Sequence, residues 1–266
     1  MNIERLKLVY FSPTGTTRAV AQAIARGIAP RVLDVIDITK PDARTHPLPT
    51  HEDDLLVVAV PVYMGRVPDL LGEWLNAIQA DGTPTVCVVV YGNRVYDNAL
   101  LELNDIVRGR GCVPVASAAY VGEHSFSNAE TPVAPGRPDK DDLAHAEAFG
   151  RQIRAKLLAL PPSSKIQGVA VPGAHPYGGV TTLWNVDFIE VNALCPQCGV
   201  CAEVCPVGAI DPQDSARIDQ VKCITCCACI KNCPQDARTM KPGPVKDAAI
   251  RLNRFCKEQK KPEYFL

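Results

Sequence analysis

Residues 195–206 read CPQCGVCAEVCP and residues 223–234 read CITCCACIKNCP, one C-x2-C-x2-C-x3-C-P pattern written twice, 28 positions apart. Three cysteines at that spacing fold their thiolates around a single iron–sulfur cluster. The fourth, followed by proline, turns the chain away, and in two-cluster proteins it ligates the other cluster. The duplication therefore has a chemical reason: neither run completes four thiolates alone, and the two complete each other by exchange. On this reading Cys195, Cys198, Cys201 and Cys233 hold one [4Fe–4S] cluster, and Cys223, Cys226, Cys229 and Cys205 hold a second. A zinc ribbon uses paired C-x2-C without the third cysteine or the Cys-Pro. A disulfide knot suits an oxidising compartment.

Ten of the twelve cysteines lie between positions 195 and 256. Cys87 and Cys112 sit in apolar, strand-like text and read as buried, inert thiols. Cys227 is one more than the pattern needs. It reads as a thiol packed behind the loop, with an alternate ligand or an oxidisable thiol as the sharper reading.

A second chemistry-bearing stretch is YFSPTGTTRAV at residues 10–20. A strand, a hydroxyl-rich turn and a helix N-terminus make an anion site, because free backbone N–H groups and side-chain hydroxyls converge there. The chain has no GxxxxGK[ST], so a monophosphate suits the loop better than a triphosphate, and no GxGxxG for a dinucleotide. Plain helix capping needs only one hydroxyl; Ser12, Thr14, Thr16 and Thr17 supply four.

The elements that must position this loop alternate over the first 160 residues. Apolar runs at 7–11, 31–38, 54–63, 85–91 and 112–121 read as strands. Helical periodicity follows the first strand, returns over 68–77 and 97–108, and is clearest from Leu143 to Leu160. The alternation predicts an α/β fold: a doubly wound, five-stranded parallel sheet of the flavodoxin-like order 2-1-3-4-5. Ligands in such folds sit past the C-terminal ends of the strands. Three loops meet the phosphate loop there: Pro61, Val62, Tyr63, Met64 and Gly65 after strand three; Tyr91, Gly92, Asn93 and Tyr96 after strand four; and residues 122–138 after strand five. Tyr63, Met64, Tyr91 and Tyr96 are the candidates to sandwich a flavin ring, and His124 the candidate group beside it. Residues 1–160 form this domain, 161–187 a Pro/Gly/Ser-rich linker, 188–242 a small α+β cysteine module, and 243–266 a helix with a docking tail, PEYFL.

LVYFSPTGTT is similar to the flavodoxin FMN signature, and the cysteine module resembles a two-cluster bacterial ferredoxin. With PVYMGRVP, YGNRVYDNALLEL, GEHSFS, CCAC and the terminal PEYFL, the whole chain resembles the EFR-type ferredoxins, in which a flavodoxin-like domain is fused to a 2[4Fe–4S] ferredoxin domain. The resemblance implies FMN, with its phosphate held by Ser12, Thr14, Gly15, Thr16 and Thr17.

A flavin accepts one electron or two and a cluster passes one, so together they make a relay. The expected function is low-potential electron transfer among two [4Fe–4S] clusters, FMN and partner redox proteins. The alternatives are an FMN-dependent oxidoreductase, with His124 or Tyr96 as proton donor, and a redox sensor. The formal net charge is −1, and two clusters with a flavin phosphate would bring it to roughly −7. Nothing in the charge pattern points to nucleic acid. The N-terminal text lacks a signal-peptide pattern and no apolar run is long enough for a membrane span, so the expectation is a cytoplasmic protein.

Overall fold

The structure is a computed structural model that describes residues 3–161, 166–179 and 185–266. The linker expected over 161–187 therefore lies partly outside the described residues.

The N-terminal half builds β1 (Arg5–Tyr10), α1 (Thr16–Ile28), β2 (Val32–Asp37), β3 (Asp54–Pro61), α2 (Gly72–Asn76), β4 (Pro84–Tyr91), α3 (Ala99–Gly109), β5 (Val113–Val121) and α4 (Lys140–Leu158). The strands pair in parallel in the order β2-β1-β3-β4-β5, which is the flavodoxin-like order. The text expected as a helix over 68–77 is shorter. A 3-10 turn, Asp69–Leu71, leads into the five residues of α2.

β3 is apolar almost throughout because both of its faces are covered. Leu55, Val57 and Ala59 point to the α1/α4 side, and Leu56, Val58 and Val60 to the α2/α3 side. That is the two-residue alternation of a strand with two buried faces. α1 and α4 cross at Gly27 and Gly150. A β-carbon added to Gly150 would lie 2.2 Å from the Ile24 carbonyl oxygen, and one added to Gly27 1.9 Å from that of Glu147. α4 begins with a capping box. The Asp139 carboxylate accepts from the N–H groups of Asp141 and Asp142, and the Asp142 carboxylate accepts from the Asp139 N–H.

The C-terminal module contains β6 (Ile189–Val191), α5 (Val200–Glu203), α6 (Ala228–Lys231) and β7 (Arg238–Met240), followed by α7 (Pro244–Phe255) and β8 (Glu263–Phe265). β6 and β7 form a separate antiparallel pair. β8 does something the five-strand expectation did not contain. It adds a sixth strand to the large sheet, antiparallel to β5, with Ala118 opposite Tyr264. Tyr264 packs on Phe149 and His145 of α4. Phe265 joins the core on the other face.

The tail is thus a structural strand that covers the β5 edge. A chain ending at Lys261 is expected to lose about 2 kcal/mol of stability, the order of one aromatic side chain returned to water. A urea midpoint and flavin retention equal to those of the full chain would show the strand to be dispensable.

The described part of the linker is strapped to the first domain. The Val169 N–H donates to the Pro114 carbonyl at 2.8 Å, the Ala174 N–H to Asn98 Oδ1 at 3.0 Å, and the Tyr177 hydroxyl to Asp105 at 2.6 Å. Among the described residues no helix is long and apolar enough to cross a membrane.

Candidate cofactor cavity and cysteine cages

At the C-terminal ends of β1, β3 and β4 lies a cavity of about 760 Å³, within the size range of small-molecule and cofactor sites. Its floor is the turn before α1. Gly15 is the N-cap of that helix, with φ 88° and no side-chain cap. The Thr16 and Thr17 N–H groups of the first turn therefore keep capacity for an anion. Thr14, Thr16 and Thr17 line the cavity. Ser12 and Gly15 shape the turn from behind: Ser12 Oγ accepts from the Arg18 N–H at 3.0 Å, and the Gly15 N–H donates to the Ser12 carbonyl. The Ser12 hydroxyl proton remains available as a donor.

Pro61, Val62, Tyr63, Met64 and Gly65 form one wall. Met64 and Gly65 are both left-handed, and Tyr63 and Arg66 exchange two backbone hydrogen bonds across them, a type I′ turn. Glu102 anchors this turn. Its carboxylate accepts from Arg66 at 2.6 and 2.8 Å and from the Val67 N–H at 2.8 Å, and it is buried on α3. Such a bidentate pair sets position as well as charge.

Tyr91 and Gly92 line the cavity too, but Asn93 and Tyr96 turn elsewhere. Asn93 Nδ2 donates to the carbonyls of Cys256 and Glu258, and its Oδ1 accepts from the Lys260 N–H. The Tyr96 hydroxyl donates to Glu263 of β8 at 2.8 Å, with its ring edge-on to Tyr91. Both residues tie the C-terminal tail to the ring loop.

His124 and Phe126 come from the long loop after β5. His124 Nδ1 accepts from the Phe126 N–H at 3.0 Å, so the neutral ring carries its proton on Nε2. Burial, with Lys231 and Arg94 nearby, pushes its pKa down to about 4. At neutral pH it is an uncharged donor.

The remaining wall comes from the other end of the chain. Ile224, Thr225 and Cys226 of the second cysteine run face the cavity, as do Leu252 and Phe255 of α7. No period in the sequence signals this. The Lys231–Glu123 ion pair at 2.6 Å and the Arg44 bond to the Pro206 carbonyl at 2.8 Å bind the two domains around it.

Within the cysteine module the two runs fold alike. Gln197 and Thr225 are left-handed, as are Gly199 and Cys227 at the N-caps of α5 and α6. Cys205 Sγ accepts from the Ala209 N–H at 3.2 Å, and Cys233 Sγ from the Ala237 N–H at 3.3 Å. The extra cysteine of CCAC therefore stands where the first run has Gly199. It takes φ 58° without glycine's freedom, which costs on the order of 1 kcal/mol. Its thiol is buried and donates to the Thr225 carbonyl at 3.7 Å.

Cys205 and Cys227, together with Cys223, Cys226 and Cys229, line one small cavity walled by Ile189, Ile210 and Ile224. Burial raises the pKa of each of the last three thiols, that of Cys229 to about 11, with neighbouring thiols of the group adding to it. Of the other four, Cys201 is buried, Cys195 and Cys233 are half-buried, and Cys198 is exposed. Among the described residues no three His, Cys, Asp or Glu side chains gather as around a single metal ion. A cubane spreads its thiolates, one to each iron.

Arg238 tests the fit. It is 3% exposed among these cysteines, and its Nε and Nη2 have no partner. A buried guanidinium needs negative charge. Neutral thiols do not supply it; thiolates around a cluster do.

Residues 190–211 match the family model of the 4Fe-4S binding domain. The first cysteine run thus lies in a 4Fe-4S binding domain. In architecture the chain is thus a flavodoxin-like domain fused to a ferredoxin domain, and its chemistry is redox chemistry. Over 68 residues the fusion is 38% identical to a probable iron-sulfur subunit of the Frd operon of Proteus vulgaris. The match covers 24% of this chain, and the chain spans 43% of that relative's length. Two solved structures overlap the flavodoxin-like domain. One is a flavodoxin from the domain Archaea, at 20% identity and TM-score 0.40, covering 58% of this chain and 99% of that one. The other is an NADH:FMN oxidoreductase in its apo form, at 16% identity and TM-score 0.41, covering 65% and 96%. What makes the domain flavodoxin-like is its own strand order and register.

Proposed function

We propose that the fusion is an electron-transfer protein that relays low-potential electrons through two [4Fe–4S] clusters to FMN or to partner redox proteins. One observation carries the reading: Cys226 is at once a member of the second cysteine group and part of the wall of the flavodoxin-like cavity. Tyr63 lines the same cavity as Cys226, and burial, with Cys226 and Cys227 adding to it, raises its pKa well above the usual tyrosine value.

Bound in these sites, clusters would supply one-electron steps and a flavin one- or two-electron steps. The protein's part is positional. Cys195, Cys198, Cys201 and Cys233 would hold the outer cluster, with Cys198 at the surface. Cys205, Cys223, Cys226 and Cys229 would hold the inner one. Thr14, Thr16 and Thr17, with the N–H groups of Thr16 and Thr17 in the first turn of α1, would hold the FMN phosphate. Tyr63 and Tyr91 would stand against the ring. The partners are redox proteins, and the acidic holoprotein expected from the cofactor charges suits a basic docking patch.

A second reading, an FMN-dependent reductase, has one observation in its favour: His124 is a neutral hydrogen-bond donor on the cavity wall. A saturable small substrate would select it over the carrier. The first test of both is composition. Anaerobically purified protein is expected to contain about eight iron, about eight sulfide and about one FMN per chain. Eight iron without FMN after reconstitution would reduce the relay to a ferredoxin with an attached recognition domain.

A further inference from the structure

Aligned on their cysteines, the two runs bring Ala209 opposite Ala237, and then the residue after each opposite the other. There the first run has Ile210 and the second has Arg238, and both side chains are buried. Ile210 fills apolar space as expected of that place. Arg238, on β7, puts a permanent charge into the middle of the module.

Its surroundings show what that charge faces. Nη1 donates to the Ser215 carbonyl at 2.7 Å and to Cys201 Sγ at 3.3 Å. Nε and Nη2 are buried and unpartnered. Among the described residues no carboxylate pairs with it. Cys229 and Cys223 lie within reach of its charge. Cys201 is assigned to the outer group and Cys223 and Cys229 to the inner one, so the one charge acts on both.

We propose that Arg238 is a positioning residue that sets the reduction potentials of both clusters, by N–H···S donation to the outer group and by a fixed positive charge shared with the inner one. The proposal rests on the two-cluster reading above. A cluster with four thiolates carries −2 oxidised and −3 after gaining one electron from an external donor such as dithionite. The positive charge of Arg238 favours the more negative state of each. It also screens the two reduced clusters from each other, which a second isoleucine would not do.

The test is an EPR-monitored redox titration of the full, anaerobically purified chain, with iron counted on every sample. Arg238→Met is expected to lower both potentials, shifting the electron-exchange equilibrium with a mediator about tenfold, ~59 mV for a one-electron couple. Arg238→Lys keeps the charge without the fork and should shift them less. Fully loaded Arg238→Met with both potentials unchanged overturns the proposal. If neither variant loads clusters, the wild-type protein decides. With 15N-labelled arginine, pulsed EPR of its reduced clusters is expected to show a guanidinium 15N coupling, and its absence overturns the proposal. A wild-type count far from eight iron would instead defeat the two-cluster reading, and the proposal with it.

Discussion

Replacing Cys226 by Ser together with Cys227 by Ala should halve the iron, from about eight to about four per chain, while leaving FMN bound. Cys226 is a member of the inner group, and Cys227 is removed so that no adjacent thiol takes its place. The phosphate turn before α1 is built from residues 12–17 and does not use either side chain. The variant therefore separates the two halves of the relay. Its remaining iron should belong to the outer group. Electrons from a one-electron protein donor should no longer reach the flavin by way of the module. The measurement is flavin absorbance against time, with iron and FMN counted on the same sample. Unchanged flavin reduction at about four iron per chain would mean that donors reach the flavin directly, and the shared wall at Cys226 would have no role in transfer.

Gly150→Val should abolish the folded flavodoxin-like domain or leave it severely destabilised. The added β-carbon would sit 2.2 Å from the Ile24 carbonyl oxygen, 2.9 Å from the Ile28 nitrogen and 3.0 Å from the Gly27 α-carbon. These are all backbone atoms of α1, so no side chain can rotate away. The helices must separate, and the packing of Val20, Ile24, Phe149 and Ile153 goes with them. Losses above about 4 kcal/mol mark this kind of overpacking, against a total stability on the order of 5–15 kcal/mol. Gly109→Ala is the matched control. It lies on α3, exposed, with nothing within 4 Å of an added β-carbon. It should be neutral or stabilising by about 0.5–1 kcal/mol. Urea unfolding followed by circular dichroism checks both, and a Gly150→Val midpoint near that of the parent would disprove the tight crossing.

What the amino-acid text determined by itself is what has a short period. β3 and β4 announce themselves as continuous apolar runs because each is covered on both faces. α4 shows its buried stripe at three- and four-residue steps. The iron–sulfur reading came from C-x2-C-x2-C-x3-C-P because ligand spacing is a local constraint on chain reach, and residues 190–211 match a 4Fe-4S binding domain. Even the left-handed place of Cys227 follows once CCAC is laid over CGVC. Tertiary structure alone decided the rest. Glu263, Tyr264 and Phe265 are too short a run to read as a strand, and they become one only because the edge of β5 offers them partners. Asn93 and Tyr96 sit in a ring loop by position, yet their polar atoms are satisfied by the tail, a contact between distant segments that obeys no local rule. The same holds for Leu252 and Phe255 on the cavity wall and for Arg238 against Cys201. Above all, Cys226 meets the flavodoxin-like cavity because hydrogen bonds and ion pairs far apart in sequence hold the two domains together. Periodicity reports which face of an element is buried; only the packed chain settles what that face is buried against.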